Sequence, residues 1–326
     1  MTDNDRIVLI GTSAGGVKAL SHLVAYLPED FPAAVLVVQH TSRYGPSAMP
    51  AILSRSGPLQ AVHPRDGERI RPGRIYIAPP NHHLLLSGDA LCLSLGPAEN
   101  HNRPAIDVLF RSGARTYGSR AIGVVLTGNL DDGTAGLAEI KRHGGTAIVQ
   151  DPDDAEYPDM PRSAIDNVDV DRVAPLNAIP RILVELAGTP QGPLDAGEQN
   201  GSRMKEALER GEDRESGEEL SGFTCPDCGG SLWESNEDGV IHFRCRTGHA
   251  FSLESLATGQ SETLEATLWA AVRSLEETAS LSQRMERWAR ERQHPASLER
   301  YTKRTQEAKQ HAEVLRRILL EDPRPQ

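Results

Sequence analysis

Arg6-Ile-Val-Leu-Ile-Gly-Thr-Ser-Ala-Gly-Gly-Val17 is the stretch whose reading decides the fold. Its unbroken apolar run, Ile7 to Ile10, has the length and β-branched content of a strand buried on both faces. The run stops at Gly11, and Gly15 to Tyr26 carries a helical pattern. A strand, a glycine turn and a helix open an α/β unit. Ser13 stands at that turn, where free helix N–H groups point outward. This suits a nucleophile and the oxyanion it creates. Three readings compete. Gly11-Thr-Ser13-Ala-Gly15 fits the nucleophile elbow G-x-S-x-G, although one strand precedes it where a full α/β-hydrolase has several. The turn also approximates G-x-G-x-x-G, with Ser13 at the middle glycine, which hinders a pyrophosphate. The third reading is a serine that caps a helix.

Two further runs weigh in favour of chemistry. Ala33-Ala-Val-Leu-Val-Val-Gln-His40 and Arg120-Ala-Ile-Gly-Val-Val-Leu-Thr-Gly128 are equally apolar and β-branched, and Asn129-Leu-Asp-Asp-Gly133 follows the second. Helical patterns separate them, which predicts a doubly wound, mostly parallel, Rossmann-like sheet. In such sheets ligands bind beyond the carboxyl ends of the strands. Ser13, His40 and Asp132 each fall just past such an end. A nucleophile, a base and an orienting carboxylate at one edge form a triad-like set.

At this point the chain resembles the catalytic domain of the chemotaxis protein-glutamate methylesterases, the CheB type. The matching stretches are Ile10 to Gly16, Val37-Val-Gln-His40, Ile75-Tyr-Ile-Ala-Pro79, Arg103-Pro-Ala-Ile-Asp-Val-Leu-Phe110, Leu126-Thr-Gly128 with Asp132-Gly133, and Gln150-Asp151 leading to Met160-Pro161. The resemblance covers roughly residues 5 to 187. It implies a serine hydrolase with the triad order Ser, His, Asp, which carries over to Ser13, His40 and Asp132. The family pattern Thr-Gly-Met-Gly-x-Asp-Gly reads here Thr127-Gly-Asn-Leu-Asp-Asp-Gly133. Asn129 thus takes the place of a methionine whose backbone N–H serves the oxyanion, and Leu130 replaces a glycine. The backbone N–H groups of Ala14 and Asn129 are the oxyanion-hole candidates. Asp131 competes with Asp132, whose offset before Gly133 favours it. The family usually carries a phosphorylatable receiver domain ahead of the esterase. So few residues precede the first strand here that no receiver is expected, and the esterase is expected to work without a phosphoryl switch.

Other residues near these motifs have plainer readings. Cys92 reads as a buried strand residue, and His82 and His83 as a loop-to-strand entry. His101 reads as a solvated loop histidine or a substrate contact. Arg103 and Asp107 are open between pairing with each other and capping the next helix. The Leu176–Leu186 stretch has helical spacing, with Ile179, Ile182, Leu183 and Leu186 on its apolar face. Residues 188–221 have linker composition, with a short helical stretch from Met204 to Leu208 too poor in apolar residues for a core.

Beyond the linker, Cys225-Pro-Asp-Cys228 and Cys245-Arg-Thr-Gly-His249 give C-x2-C-x16-C-x3-H, a closed tetrahedral zinc pattern. So short a module needs a metal for its core, and structural zinc is expected, with no cofactor for catalysis. The charged linker predicts that this ribbon is a separate, tethered unit. Leu264, Leu268, Ala271, Val272, Leu275, Ala279, Met285 and Trp288 recur at helical spacing, Pro295 interrupts, and Leu298, Tyr301, Thr305, Ala308, Ala312, Leu315 and Leu319 continue on a second helix. This predicts a helical hairpin that packs within the chain, or a homodimer or partner interface. The expected domains are 1–187 esterase, 188–221 linker, 222–256 zinc-ribbon-like module and 257–322 helical hairpin.

Composition narrows the class. The 326 residues carry a net charge of −11 and four cysteines. The acidic balance argues against nucleic acid or an anionic membrane as partner. No signal peptide or membrane span is evident, and few cysteines suit a reducing, cytoplasmic setting. The expected activity is hydrolysis of glutamate methyl esters on a methylated chemoreceptor-like protein, with glutamine deamidation implied by the resemblance as a second activity. A non-catalytic signalling scaffold and a nucleotide-binding regulator are the competing classes. Against the latter stand Ser13 and the lack of an acidic ribose partner after the second strand.

Overall fold

The three apolar runs read as strands, Ile7 to Ile10, Ala33 to Val38 and Ala121 to Leu126, fall in one parallel sheet. The structure is a computed structural model that describes residues 6–41, 47–188, 201–210, 219–237 and 240–321. In chain order come β1 (Ile7–Thr12), β2 (Ala34–Gln39), β3 (Gln60–Val62), β4 (Arg74–Ile77), an antiparallel hairpin of β5 (His83–Ser87) and β6 (Ala90–Ser94), then β7 (Ala121–Val125), β8 (Thr146–Gln150) and β9 (Arg172–Ala174). The sheet order is β3-β4-β2-β1-β7-β8-β9, and the neighbours pair in parallel. From β1 the chain builds one side of the sheet, passing through β2 to the edge strand β3 and back to β4, and then builds the other side outward from β7. The β1/β7 boundary is therefore the topological switch point, where open sheets leave a crevice beyond their carboxyl ends.

Six helices cover the sheet: α1 (Gly16–Ala25), α2 (Met49–Ser56), α3 (Ile106–Tyr117), α4 (Thr134–Arg142), α5 (Asp159–Asn167) and α6 (Ile179–Ala187). The period-two alternation of a strand divides β1 between two cores. Ile7 and Leu9 pack with Ile106, Phe110, Leu137 and Met160 from α3, α4 and α5. Val8 and Ile10 pack with Leu20, Leu23, Leu53 and Leu183 from α1, α2 and α6. Both faces are covered, so every residue of β1, β2 and β7 is buried and the strands read as continuous apolar runs.

Within the stretch read as linker, Gly201–Arg210 is a helix, α7. Met204 and Leu208 lie a helical turn apart and close a small core with Leu85, Cys92, Ala105 and Val108. Two apolar residues are too few for a core of their own; the hairpin and the start of α3 supply the rest. Next come β10 (Glu219–Thr224), β11 (Ser231–Glu237), β12 (Val240–Cys245) and β13 (Ala250–Ser252), an antiparallel sheet in that order. Its core holds Leu232, Phe243, Phe251 and Leu256 with Cys225 and Cys245.

Two long helices follow, α8 (Leu253–Glu291) and α9 (Pro295–Glu321). The chain divides into two compact units, Met1–Leu256 and Ala257–Gln326. In the second, Gly259, Val272, Ala279, Ser282, Ala289, Tyr301, Thr305, Ala308 and Ala312 are the buried residues among those described, and Arg316 bonds Glu276 across the antiparallel pair. The seam is one of small residues, and Leu264 and Trp288, expected on it, stay exposed. Among the described residues, no helix is long and apolar enough to cross a membrane.

Candidate active site

Ser13 follows β1 in a turn fixed from three sides. Its N–H donates to the Thr127 carbonyl at 3.1 Å, and Gly16 N–H donates to its carbonyl at 3.0 Å. Gln39 Nε2 donates to the Ser13 and His40 carbonyls, both at 2.8 Å. Gly15 takes φ 76°, a left-handed conformation that glycine accepts without strain. His40 continues the ladder beyond β2 through its N–H to the Thr12 carbonyl at 3.1 Å. Asp132 lies in the turn between β7 and α4. Its Oδ2 is 2.7 Å from His40 Nε2, with the His40 side chain 11% exposed and that of Asp132 2% exposed. A carboxylate only accepts, so Nε2 carries the proton and Nδ1 is left as the basic ring atom. Among the described contacts Ser13 Oγ makes no hydrogen bond to His40, whose ring is bonded to Asp132.

Four donors converge on Asp132. Besides His40, the Ile106 N–H reaches Oδ2 at 2.7 Å, and the Asp107 N–H and Asn100 Nδ2 reach Oδ1 at 3.1 Å each. Burial pushes its pKa up, but the hydrogen bond and charge of His40 and the two N–H groups outweigh it and hold the carboxyl below its ordinary value. Asp107 goes the other way. Burial and then the charge of Asp132 push it well up. Its Oδ1 accepts from the Gly133 and Gly136 N–H groups and its Oδ2 from Asn100 Nδ2 at 3.0 Å. Asp107 therefore ties α3 to α4 and does not pair with Arg103, which bonds Asn81 and the Leu95 and Gly96 carbonyls.

Asp131, the competing aspartate, turns away from His40. Its Oδ1 accepts from Ser255 Oγ at 3.1 Å, and burial, ahead of the nearby Glu254 charge, pushes its pKa up to about 6. Leu130 adopts φ 62°, so the turn keeps a glycine-like conformation with a strained leucine in it. The N–H groups of Ala14 and Asn129 have no acceptor among the described residues. Gly128 packs closely against this turn: a Cβ there would fall 2.1 Å from Met160 Sδ and 2.8 Å from Ser13 Cβ. Sequence reasoning missed the groups that hold these residues in place. Thr127 Oγ1 donates to the Ala14 carbonyl at 3.1 Å, Gln150 Oε1 accepts from the Thr127 N–H at 2.9 Å, and Gln39 and Asn100 act as described. Gln39 and Gln150 end strands at the sheet edge that bears Ser13, a signal available in the sequence; Asn100 lies in a loop with no periodic pattern.

The ribbon brings Cys225, Cys228, Cys245 and His249 together, their ligand atoms all within 4.8 Å of one another. His249 Nδ1 is 3.6 Å from the sulfurs of Cys225 and Cys245, and Cys228 and Cys245 are 3.7 Å apart sulfur to sulfur. Zinc bonds of about 2.0–2.3 Å give tetrahedral edges of about 3.3–3.8 Å, so this spacing fits a Cys3His zinc site. The ribbon is not held apart from the esterase as the linker composition suggested. His101 is bonded to Asp227 between the first two cysteines and to the Ser255 carbonyl, and its ring lies 4.9 Å from that of Phe251. Arg244 approaches Glu99 at 3.9 Å, which Arg111 also holds at 2.6 Å. A linker sets reach, not docking, and the esterase side of the contact is carried by Glu99 and His101, which lie in a loop.

Comparisons with known proteins bear on the N-terminal half of the chain. Residues 8–183 match the CheB methylesterase family. A putative protein-glutamate methylesterase/protein-glutamine glutaminase of Leptospira interrogans is 39% identical over 184 residues, 56% of this chain and 95% of that one. A protein of Anaeromyxobacter dehalogenans named protein-glutamate methylesterase/protein-glutamine glutaminase 5 is 43% identical over 186 residues, 56% of this chain and 51% of that one. Against that protein and its counterpart in Xanthomonas campestris, the chain spans about half the relative's length. The CheB methylesterase catalytic domain of Thermotoga maritima superposes with a TM-score of 0.54 at 36% identity, over 56% of this chain and 98% of that one.

Proposed function

The chain belongs to the CheB methylesterase family, and from that premise we propose that it hydrolyses the methyl esters of glutamate side chains on a chemoreceptor-like protein with Ser13, His40 and Asp132. The observation that carries this reading is the 2.7 Å bond of His40 to a fully enclosed Asp132 at the sheet edge that also bears Ser13. The steps follow from the groups present. His40 Nδ1 takes the proton of Ser13 Oγ as the oxygen attacks the ester carbonyl. The oxyanion is met by the N–H groups of Ala14 and Asn129. Collapse breaks the ester C–O bond, and methanol leaves with the proton from His40. Water, deprotonated by the same nitrogen, cleaves the glutamyl-serine ester and frees a glutamate carboxylate. With a glutamine side chain the same steps release ammonia. No dissociable cofactor enters them.

We also assign zinc to Cys225, Cys228, Cys245 and His249, where it fastens a ribbon whose core is only a few side chains deep. Cysteines outside any disulfide at these positions are available as thiolate ligands, which suits a reducing cytoplasm. A fluorophosphonate probe and a peptide bearing a glutamate γ-methyl ester test the function together. The wild-type protein is expected to be labelled at Ser13 and to release methanol from the peptide. A protein that is folded yet unlabelled and inactive on the ester overturns the reading.

A further inference from the structure

We propose that the ribbon completes the esterase site: it holds Asn100 as a positioning residue for Asp132, so that metal loading of the ribbon sets the turnover of Ser13. The proposal rests on the esterase reading above and adds the regulation of that site.

The argument starts at Asn100 and His101, whose φ values are 48° and 62°. Residues with a Cβ persist in that region only where their surroundings hold them. Here the ribbon does. The Asn100 N–H donates to the Ala250 carbonyl at 2.8 Å, and the Ala250 N–H donates back to Ala98 at 3.3 Å. His101 Nε2 meets the Ser255 carbonyl at 2.9 Å. The Asn100 side chain then bridges the two parts. Its oxygen accepts from the Ser252 N–H at 2.9 Å, and its nitrogen donates to Asp132 at 3.1 Å and Asp107 at 3.0 Å. The ribbon N–H thereby dictates which way the amide faces. Reversed, the carbonyl oxygen would meet two carboxyl groups and the NH2 would meet an N–H donor.

The path from metal to base is short. Ala250 follows the ligand His249 directly. It holds Asn100, which holds Asp132, which holds His40. Without its metal, so small a ribbon loses the cross-link that orders β13. The Asn100–His101 segment is then free to leave its left-handed conformation, and the amide leaves Asp132. The Ile106 and Asp107 N–H groups remain on the carboxylate, so turnover falls without vanishing. A small shift of a positioned group costs on the order of tenfold to a hundredfold in rate.

The test uses the full chain, zinc-loaded, stripped with a chelator and reloaded, as wild type and as Asn100→Gly. Glycine keeps the positive φ and the backbone bond to Ala250 while deleting the amide. With a glutamate γ-methyl ester peptide, zinc removal is expected to lower wild-type kcat about tenfold or more, with KM within about twofold, and reloading restores it. Asn100→Gly is expected to begin at the lowered kcat and to lose less than about twofold more on stripping, because the two changes break one linkage. Equal losses in both proteins mean that the metal acts on stability alone and overturn the proposal. So does an unchanged wild-type kcat after stripping, or a chain that binds no zinc. If Asn100→Gly does not accumulate folded, Asn100→Ala, which also deletes the amide, takes its place with the same expected and overturning results. A zinc-loaded wild type without esterase activity is a separate outcome, which fails the esterase reading and this inference with it.

Discussion

Asp132→Asn is the substitution whose consequence follows most fully from the geometry. Every group around this carboxylate is a donor: His40 and the Ile106 N–H on Oδ2, Asn100 and the Asp107 N–H on Oδ1. An amide must turn its NH2 toward one of these pairs. Facing Asn100 and Asp107 it leaves two buried donors unpaired, at about 1–3 kcal/mol each. Facing His40 and Ile106 it leaves one, because the imidazole can accept at Nε2 by moving its proton to Nδ1. The second arrangement therefore wins, and it protonates the ring atom that must act as base. The expected loss is about 10⁴ in kcat, the scale seen when a triad carboxylate is amidated. The expected loss of stability is only about 1–3 kcal/mol, less whatever is recovered by removing a charge from beside Asp107. Ester hydrolysis and urea unfolding of the same preparation read both numbers. A variant within tenfold of wild type in kcat refutes the assigned tautomer and with it the role of Asp132.

Three further outcomes are expected. Asp131→Asn should keep turnover within a few-fold and change the pH dependence of stability: the wild-type carboxyl, raised from 3.8 to about 6, contributes stability below pH 4 that is lost as pH rises through 6, about 3 kcal/mol in all. Thermal melts from pH 4 to 8 should thus fall for wild type and stay flatter for the variant, and parallel curves would contradict the assignment. Gly128→Ala should cost about 1–3 kcal/mol through overpacking and at least about 10² in rate, since its Cβ would reach within 2.8 Å of Ser13 Cβ; an unimpaired variant would mean that Ser13 has room to shift. Elemental analysis of the purified chain should find about one zinc per chain, lost in Cys228→Ser, and a metal content unaffected by that change would place the ion elsewhere.

How far the sequence carries a reader depends on which physical signal each residue leaves. Buried parallel strands must be apolar along their whole length, so β1, β2 and β7 stand out in the chain, and Ser13, His40 and Asp132 are legible as the polar residues that end or follow them. The hairpin of β5 and β6 and the helix α7 leave weaker traces, because each borrows its core from a neighbour. Met204 and Leu208 acquire meaning only against Leu85 and Cys92. The spacing of Cys225, Cys228, Cys245 and His249 is visible because metal geometry is local. The seating of the ribbon is not: it depends on Asn100, His101 and backbone groups of β13, and hydrogen bonds between loops leave no periodicity. On the helical pair the spacing already places Val272, Ala279, Tyr301, Thr305, Ala308 and Ala312 on the buried face; hydropathy adds Leu264 and Trp288, which stay exposed, and passes over Ser282 and Ala289, which close approach of two helices selects.

The central claim is that Ser13 removes methyl groups from glutamate side chains of a receptor, and methanol release tests it most directly. Membranes carrying a chemoreceptor labelled by methylation are incubated with the wild-type chain and with Ser13→Ala, a change that deletes the attacking oxygen and little volume. Labelled methanol should appear with the wild type and stay at background with the variant, while both melt at the same temperature. Equal release by the two proteins would contradict the account.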